Sequence, residues 1–128
     1  MKPLETRKDI ELLVNNFYKK VEKDEAIGFF FTEIASVDWN LHLPKMYDFW
    51  ETLLLGNSSY KGNPMTVHFG INHMSAIEPH HFQHWLKLWT ETVQENFEGE
   101  LAEQAIYKAS NIANLMSFKM NTARKLKL

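Results

Sequence analysis

Gly62-Asn63-Pro64-Met65-Thr66-Val67-His68 is the stretch on which the reading of this chain turns. Residues 56–64 carry Gly, Asn, Ser and Pro at the density of a loop. Pro64 suits the first position of a short helix, where the N–H it lacks would be unpaired anyway. Residues 65–69 then leave room for little more than one turn, with Gly70 as its end, and residues 70–78 read as a second loop. His68 therefore stands on a short connection, where functional residues held by a rigid scaffold are often found.

Just upstream, Trp39–Leu55 reads as a long aromatic helix. Asp38 is a good N-cap for it. Trp39, His42, Met46, Phe49, Trp50 and Leu53 share one face. Seventeen residues at 1.5 Å rise make an element about 25 Å long. Pro44 removes one backbone donor and is expected to kink the first turns.

Toward the N-terminus, Thr6 and Asp9 form a capping box that starts a helix near residue 7. Ile10, Val14, Phe17 and Val21 recur at helical spacing. Tyr18 lies about 80–90° from the centre of that stripe at about 100° per residue, so its ring can be buried while its hydroxyl enters a cavity. Phe29-Phe30-Phe31, bounded by Gly28 and Thr32, reads as a tight helical turn that throws at least one Phe inward.

Toward the C-terminus, Pro79 opens a third long helix with Phe82, Trp85, Leu86, Trp89 and Val93 as its core stripe, and Gly99 stops it. A last helix starts near Glu100, with Leu101, Ala105, Ala109, Ile112 and Met116 on one face. Residues 119–128 read as a basic tail whose end frays. Alternation of period two is nearly absent, which argues against a sheet. The expectation is an all-α single domain over residues 1–128, with its core at about 7–118.

The chain has 128 residues, 45% of them hydrophobic, which fits one domain with one core. A net charge of -2 leaves no electrostatic footprint for nucleic acid. Without Cys, disulfides, thiolate metal sites and thiol nucleophiles are excluded. No apolar run has the length of a signal peptide core or a bilayer span, so a soluble cytoplasmic protein without membrane partners is expected. No phosphate-cradling Gly loop, Ser elbow or paired-carboxylate pattern is present. Nine Phe, four Trp, four Tyr and six His are the unusual feature, and would suit either an ordinary core or a flat apolar ligand.

A lone His on a core stripe, as His42 is, is more often a satisfied core residue than a ligand, and an isolated His on a turn is not by itself a site. As a pair they say more. His42 is on a long helix and His68 lies beyond a loop, so the two can approach one flat cavity from opposite sides. Haem iron takes one proximal His and a distal group that meets the bound gas. His80 and His84 have the i, i+4 spacing of a helical metal pair. They lie opposite Phe82, Trp85 and Trp89, however, and no third ligand or general-base Glu stands at the right offset. This set is expected to face solvent without a catalytic role.

Phe17-Tyr18, Phe29-Phe30-Phe31, Trp39-x-x-His42, Phe49-Trp50-x-x-Leu53-Leu54-Leu55-Gly56, Pro64-Met65-x-x-His68 and Phe82-x-x-Trp85-Leu86-x-Leu88 occur in one order and spacing. Together they resemble the group III truncated haemoglobins. The resemblance implies a shortened globin, a two-over-two helical sandwich around haem b. It implies His68 as the proximal iron ligand, and Tyr18, His42 and Trp85 as the distal polar residues that stabilise a bound ligand. Phe31 matches the phenylalanine packed on the haem face, and Met46 and Trp50 match distal-helix positions. Phe49 and Leu53, on the same stripe, join them as candidate cofactor contacts.

The function expected from this is binding of oxygen, nitric oxide, carbon monoxide or peroxide at the iron. Up to three distal donors favour chemistry on the ligand, such as nitric oxide dioxygenation or peroxide reduction. That chemistry needs an external reductase, since no flavin or nicotinamide domain is evident. The alternative is reversible oxygen binding for storage or sensing without catalysis, and a third reading is a haem-free helical interaction protein.

Overall fold

The fold is described from a computed structural model, which covers residues 1–58 and 60–125. Among the described residues five α-helices carry it: α1 (Arg7–Glu22), α2 (Trp39–Leu55), α3 (Pro64–Met74), α4 (Pro79–Asn96) and α5 (Glu100–Lys125). One π-helical turn, Phe30–Ile34, stands between α1 and α2. α1 packs on α2 and α4, and α4 packs on α5.

The capping box that starts α1 is formed as expected, with Asp9 Oδ2 accepting the Thr6 N–H at 3.0 Å. Leu13, Val14, Phe17 and Val21 bury its inner face. On α5 the inner face is made of small residues, Ala102, Ala105, Ala109 and Ala113. Small side chains let α4 approach closely, and Trp89 fills the contact. It is fully buried, and its indole N–H donates to the Ala105 carbonyl at 3.1 Å, so this large ring costs the core no unpaired donor.

Three local expectations are corrected. Gly70 does not end α3, which runs on to Met74. Glycine inside a helix costs only about 1 kcal/mol relative to alanine, and contacts beyond it carry the helix on. The core does not end near residue 118, because α5 runs to Lys125 and its Met120 and Ala123 continue the apolar spacing of Met116 and are buried. The rest of the expected fraying tail, residues 126–128, lies outside the described residues. Third, a two-residue parallel bridge pairs Lys2–Pro3 with Phe97–Glu98 and ties the N-terminus to the turn before α5.

α2 runs continuously through Pro44. Pro44 and Asn40, whose carbonyl loses its helical partner, are both exposed, so water can satisfy that group. Gly56 caps α2 in the left-handed conformation at φ 78°. Gly28 is needed for close approach, since a Cβ there would meet the Val21 carbonyl oxygen at 2.9 Å. That contact folds the Phe29-Phe30-Phe31 turn back against the end of α1. Phe30 is buried and Phe31 half-buried, as a turn throwing a Phe inward requires.

The His80, His81 and His84 set does not simply face solvent. His80 is exposed. His81 lies with its ring 4.8 Å from that of Phe30, and its Nδ1 accepts the Glu78 N–H at 2.8 Å. Burial lowers its pKa, which keeps the ring a neutral acceptor. His84 Nε2 meets Asp24 Oδ2 at 2.6 Å, while Asp24 also accepts the N–H groups of Ala26 and Ile27. These two histidines tie the turn after α1 to the start of α4. His81→Ala should therefore cost about 0.5–2 kcal/mol, the range for losing a helix cap, read as a lower urea midpoint at unchanged slope.

Candidate functional site

His68 lies one turn into α3. The Asn63 side chain caps this helix by accepting the Thr66 N–H at 3.2 Å, and Pro64 opens it. His68 Nδ1 lies 2.6 Å from the Pro64 carbonyl oxygen. A carbonyl can only accept, so Nδ1 carries the proton and Nε2 keeps its lone pair. Burial lowers the pKa of His68 while the bond to Pro64 pushes the other way. The outcome is a half-buried neutral imidazole, oriented by its own backbone, with one free basic nitrogen. A metal-ligating His almost always uses its second nitrogen in this way.

Across from it, α2 supplies His42. Its pKa is lowered by burial first, then by Lys45 and by His68, which is close enough to be felt. His42 Nε2 is buried and has no hydrogen-bond partner among the described residues. An unpaired buried polar atom costs about 1–3 kcal/mol, so its place calls for a partner that the described residues do not provide.

Around His42 the aromatic side chains converge. Tyr18 from α1 lies 5.1 Å from the His42 ring, 5.6 Å from Phe31 and 5.4 Å from Trp39. Phe31 meets His42 edge-on at 6.2 Å and stacks on Trp39 at 6.0 Å. Burial alone pushes the Tyr18 hydroxyl above its usual range, with no hydrogen bond entering. The hydroxyl therefore stays protonated as a donor. A cavity of about 450 Å³ between α1 and α2 has Tyr18 and Trp39 in its wall, and Tyr47 beside it is hydrogen-bonded to Asn15.

Trp85 comes from α4, edge-on to Phe17 at 5.9 Å, and Phe17 in turn touches Tyr18 at 4.9 Å. Unlike that of Trp89, its indole N–H makes no hydrogen bond among the described residues. Met46 and Leu53 are half-buried on α2. Phe49 meets Trp50 at 5.4 Å and Tyr60 at 5.1 Å. Trp50 belongs to the core, stacked on Trp89 at 4.2 Å and only 3% exposed.

The structure thus brings Tyr18, Phe31 and His42 into one cluster with His68 close enough to His42 to be felt, while Trp50 lies in the core against Trp89. Trp39 is the site residue that sequence reasoning missed as such. Its signal was present, because it lies three residues before His42 on the same helix face. Among the described residues no group of three His, Cys, Asp or Glu side chains is placed to hold a metal ion, and an iron held by one histidine and a porphyrin needs no such group. No described helix is long and apolar enough to cross a membrane.

Residues 4–120 match the model of the bacterial-like globins. A curated relative, the group 3 truncated hemoglobin of Campylobacter jejuni, is 29% identical over 111 residues, which cover 84% of this chain and 85% of that protein. The crystal structure of the group III truncated hemoglobin from Campylobacter jejuni superimposes with a TM-score of 0.82 at 29% identity, covering 94% of this chain and 95% of that one.

Proposed function

The chain belongs to the bacterial-like globin family, haem proteins that bind small gases such as oxygen, and on that premise we propose that this member holds its ligand tightly for redox chemistry. The observation that carries the proposal is the Tyr18 hydroxyl, unpaired among the described residues, edge-on to the buried His42 ring.

The residues present fit haem b. His68 Nε2 would hold the iron, Phe31 would pack against the ring, and Met46, Phe49 and Leu53 would line the α2 side with Trp50 behind them. When bound, haem supplies the redox-active iron that takes up oxygen, nitric oxide, carbon monoxide or peroxide. On the distal side Tyr18 offers an O–H, Trp85 an indole N–H and neutral His42 one N–H. Tyr18 and Trp85 would stabilise negative charge developing on a bound ligand, with His42 the lesser contributor. Hydrogen bonds to charged groups contribute about 1.5–3 kcal/mol each, so two of them slow ligand loss by roughly 10²–10⁴-fold. Slow release suits turning nitric oxide and oxygen into nitrate, or reducing peroxide, with electrons from a separate cytoplasmic reductase.

Absorption spectra with and without dithionite, then with oxygen and with carbon monoxide, test the haem reading. Stopped-flow oxygen dissociation tests the rest. A haem spectrum that responds to each ligand, slow oxygen release and consumption of nitric oxide by the oxygenated protein are expected. Fast release without nitric oxide consumption would replace the proposal with reversible carriage.

A further inference from the structure

α3 carries His68, yet no apolar side chain of α3 is fully buried. Val67, Phe69 and Met74 are exposed, and Met65 and Ile71 are half-buried. Its one buried residue is polar, Asn72, one helical turn beyond His68. The Asn72 amide is bonded three ways. Nδ2 donates to the Met120 carbonyl of α5 at 3.2 Å, and Oδ1 accepts the Ile77 N–H at 2.9 Å and Arg124 Nη1 at 2.9 Å. Arg124 closes the knot by donating to the Ile77 carbonyl at 2.7 Å and to Asn121 Oδ1 at 3.1 Å, with Glu78 at 3.4 Å. Beside the knot, a cavity of about 710 Å³ opens between α3 and the end of α5, with Phe69 and Ala123 in its wall. Of the α3 side chains only the half-buried Met65 and Ile71 pack on the core, so the orientation of the helix rests on the hydrogen bonds.

That distinction matters for what α3 does. Apolar contact is non-directional and tolerates sliding and rotation. Hydrogen bonds weaken steeply with angle, so three of them on one side chain define how a helix is turned about its axis. Residues four apart lie on one helix face, and a rotation of α3 that moves Asn72 moves His68 with it. We propose that Asn72, locked by Arg124, is the positioning residue that sets the rotation of α3 and thereby the direction of the His68 imidazole toward the iron. This rests on His68 being the iron ligand.

The test uses the full chain in haem-loaded and haem-free forms. In the ferrous protein, resonance Raman reads the iron–imidazole stretching band, which reports the strain and orientation of the proximal bond. Asn72→Ala and Arg124→Met should each shift or split that band. The double variant should do no more than the larger single, because both act on one knot. In the haem-free protein, amide hydrogen exchange across residues 68–74 should quicken by about tenfold or more, as expected for local opening, while α1 and α4 stay protected. Val14→Ala, which opens a cavity in the buried face of α1 away from the knot, is the control for plain destabilisation and should leave the band in place. Should Asn72→Ala fail to fold, Arg124→Met carries the same test. An unmoved band in Arg124→Met or Asn72→Ala overturns the positioning role while His68 ligation stands. A parent protein with no His68-dependent band overturns both.

Discussion

His68→Ala is expected to empty the protein of haem in the absence of added imidazole, and to regain haem when imidazole is supplied. The substitution removes the only nitrogen of α3 that the structure shows oriented with a free lone pair. Nδ1 is committed to the Pro64 carbonyl, so Nε2 alone is left to ligate. Losing a second-shell partner of a metal ligand typically costs roughly 10–100-fold in affinity, and removing the ligand itself should cost more than that. The fold should survive, because α3 contributes no fully buried apolar side chain to the core. Far-UV circular dichroism should thus match the parent while the haem absorption falls to background. Imidazole can enter the space vacated by the side chain and restore a nitrogen ligand from solution. Ferrous and ferric spectra identical to the parent would mean that iron is held elsewhere, with His42 the first suspect.

Much of this could be read from the chain because it rests on local patterns. The 3.6-residue recurrence of Ile10, Val14, Phe17 and Val21, and that of Phe82, Trp85, Trp89 and Val93, belongs to helices that are buried along those stripes. Gly56 was legible as a stop because it follows the periodic run directly, and it takes the positive φ that glycine allows. Gly70 misled for the same reason. It resembles a stop, yet α3 is held from beyond it by Asn72, whose partners Met120 and Arg124 are some fifty residues away in sequence. The pair of His42 and His68 was visible as two histidines with a loop between them. The role of His84 was not, since its carboxylate partner, Asp24, lies sixty residues earlier. Helix phase alone placed His80, His81 and His84 on a solvent face. It could not show that the turn after α1 folds over that face and covers His81 with Phe30. Long-range polar contacts leave no periodic trace, and they account for most of what was missed.

Replacing Tyr18 by Phe is expected to make oxygen leave about 10–100 times faster, the loss of one charge-assisted bond of about 1.5–3 kcal/mol. This variant is the cleanest of the distal changes, since it keeps the ring and removes only the donor. The ring's contacts to His42, Phe31 and Trp39 should persist, so the pocket should keep its shape. Among the described residues the Tyr18 hydroxyl has no hydrogen-bond partner to leave orphaned. Trp85→Phe should act in the same direction, with an added effect from lost ring volume against Phe17. If both donors meet the same ligand atom, the two changes should not add, and a double-mutant cycle reads that coupling directly. His42→Leu should behave differently. Its lowered pKa keeps the ring neutral near pH 7, and from the start of α2, edge-on to Trp39, it is expected to control access more than to hold the ligand. Carbon monoxide entry should change more than oxygen escape. Stopped-flow dissociation of oxygen and association of carbon monoxide on the three variants measure all of this. Off-rates within about twofold of the parent in both Tyr18→Phe and Trp85→Phe, a change of under half a kcal/mol, would show that neither donor holds the ligand. The same protein would then be better described as a reversible carrier.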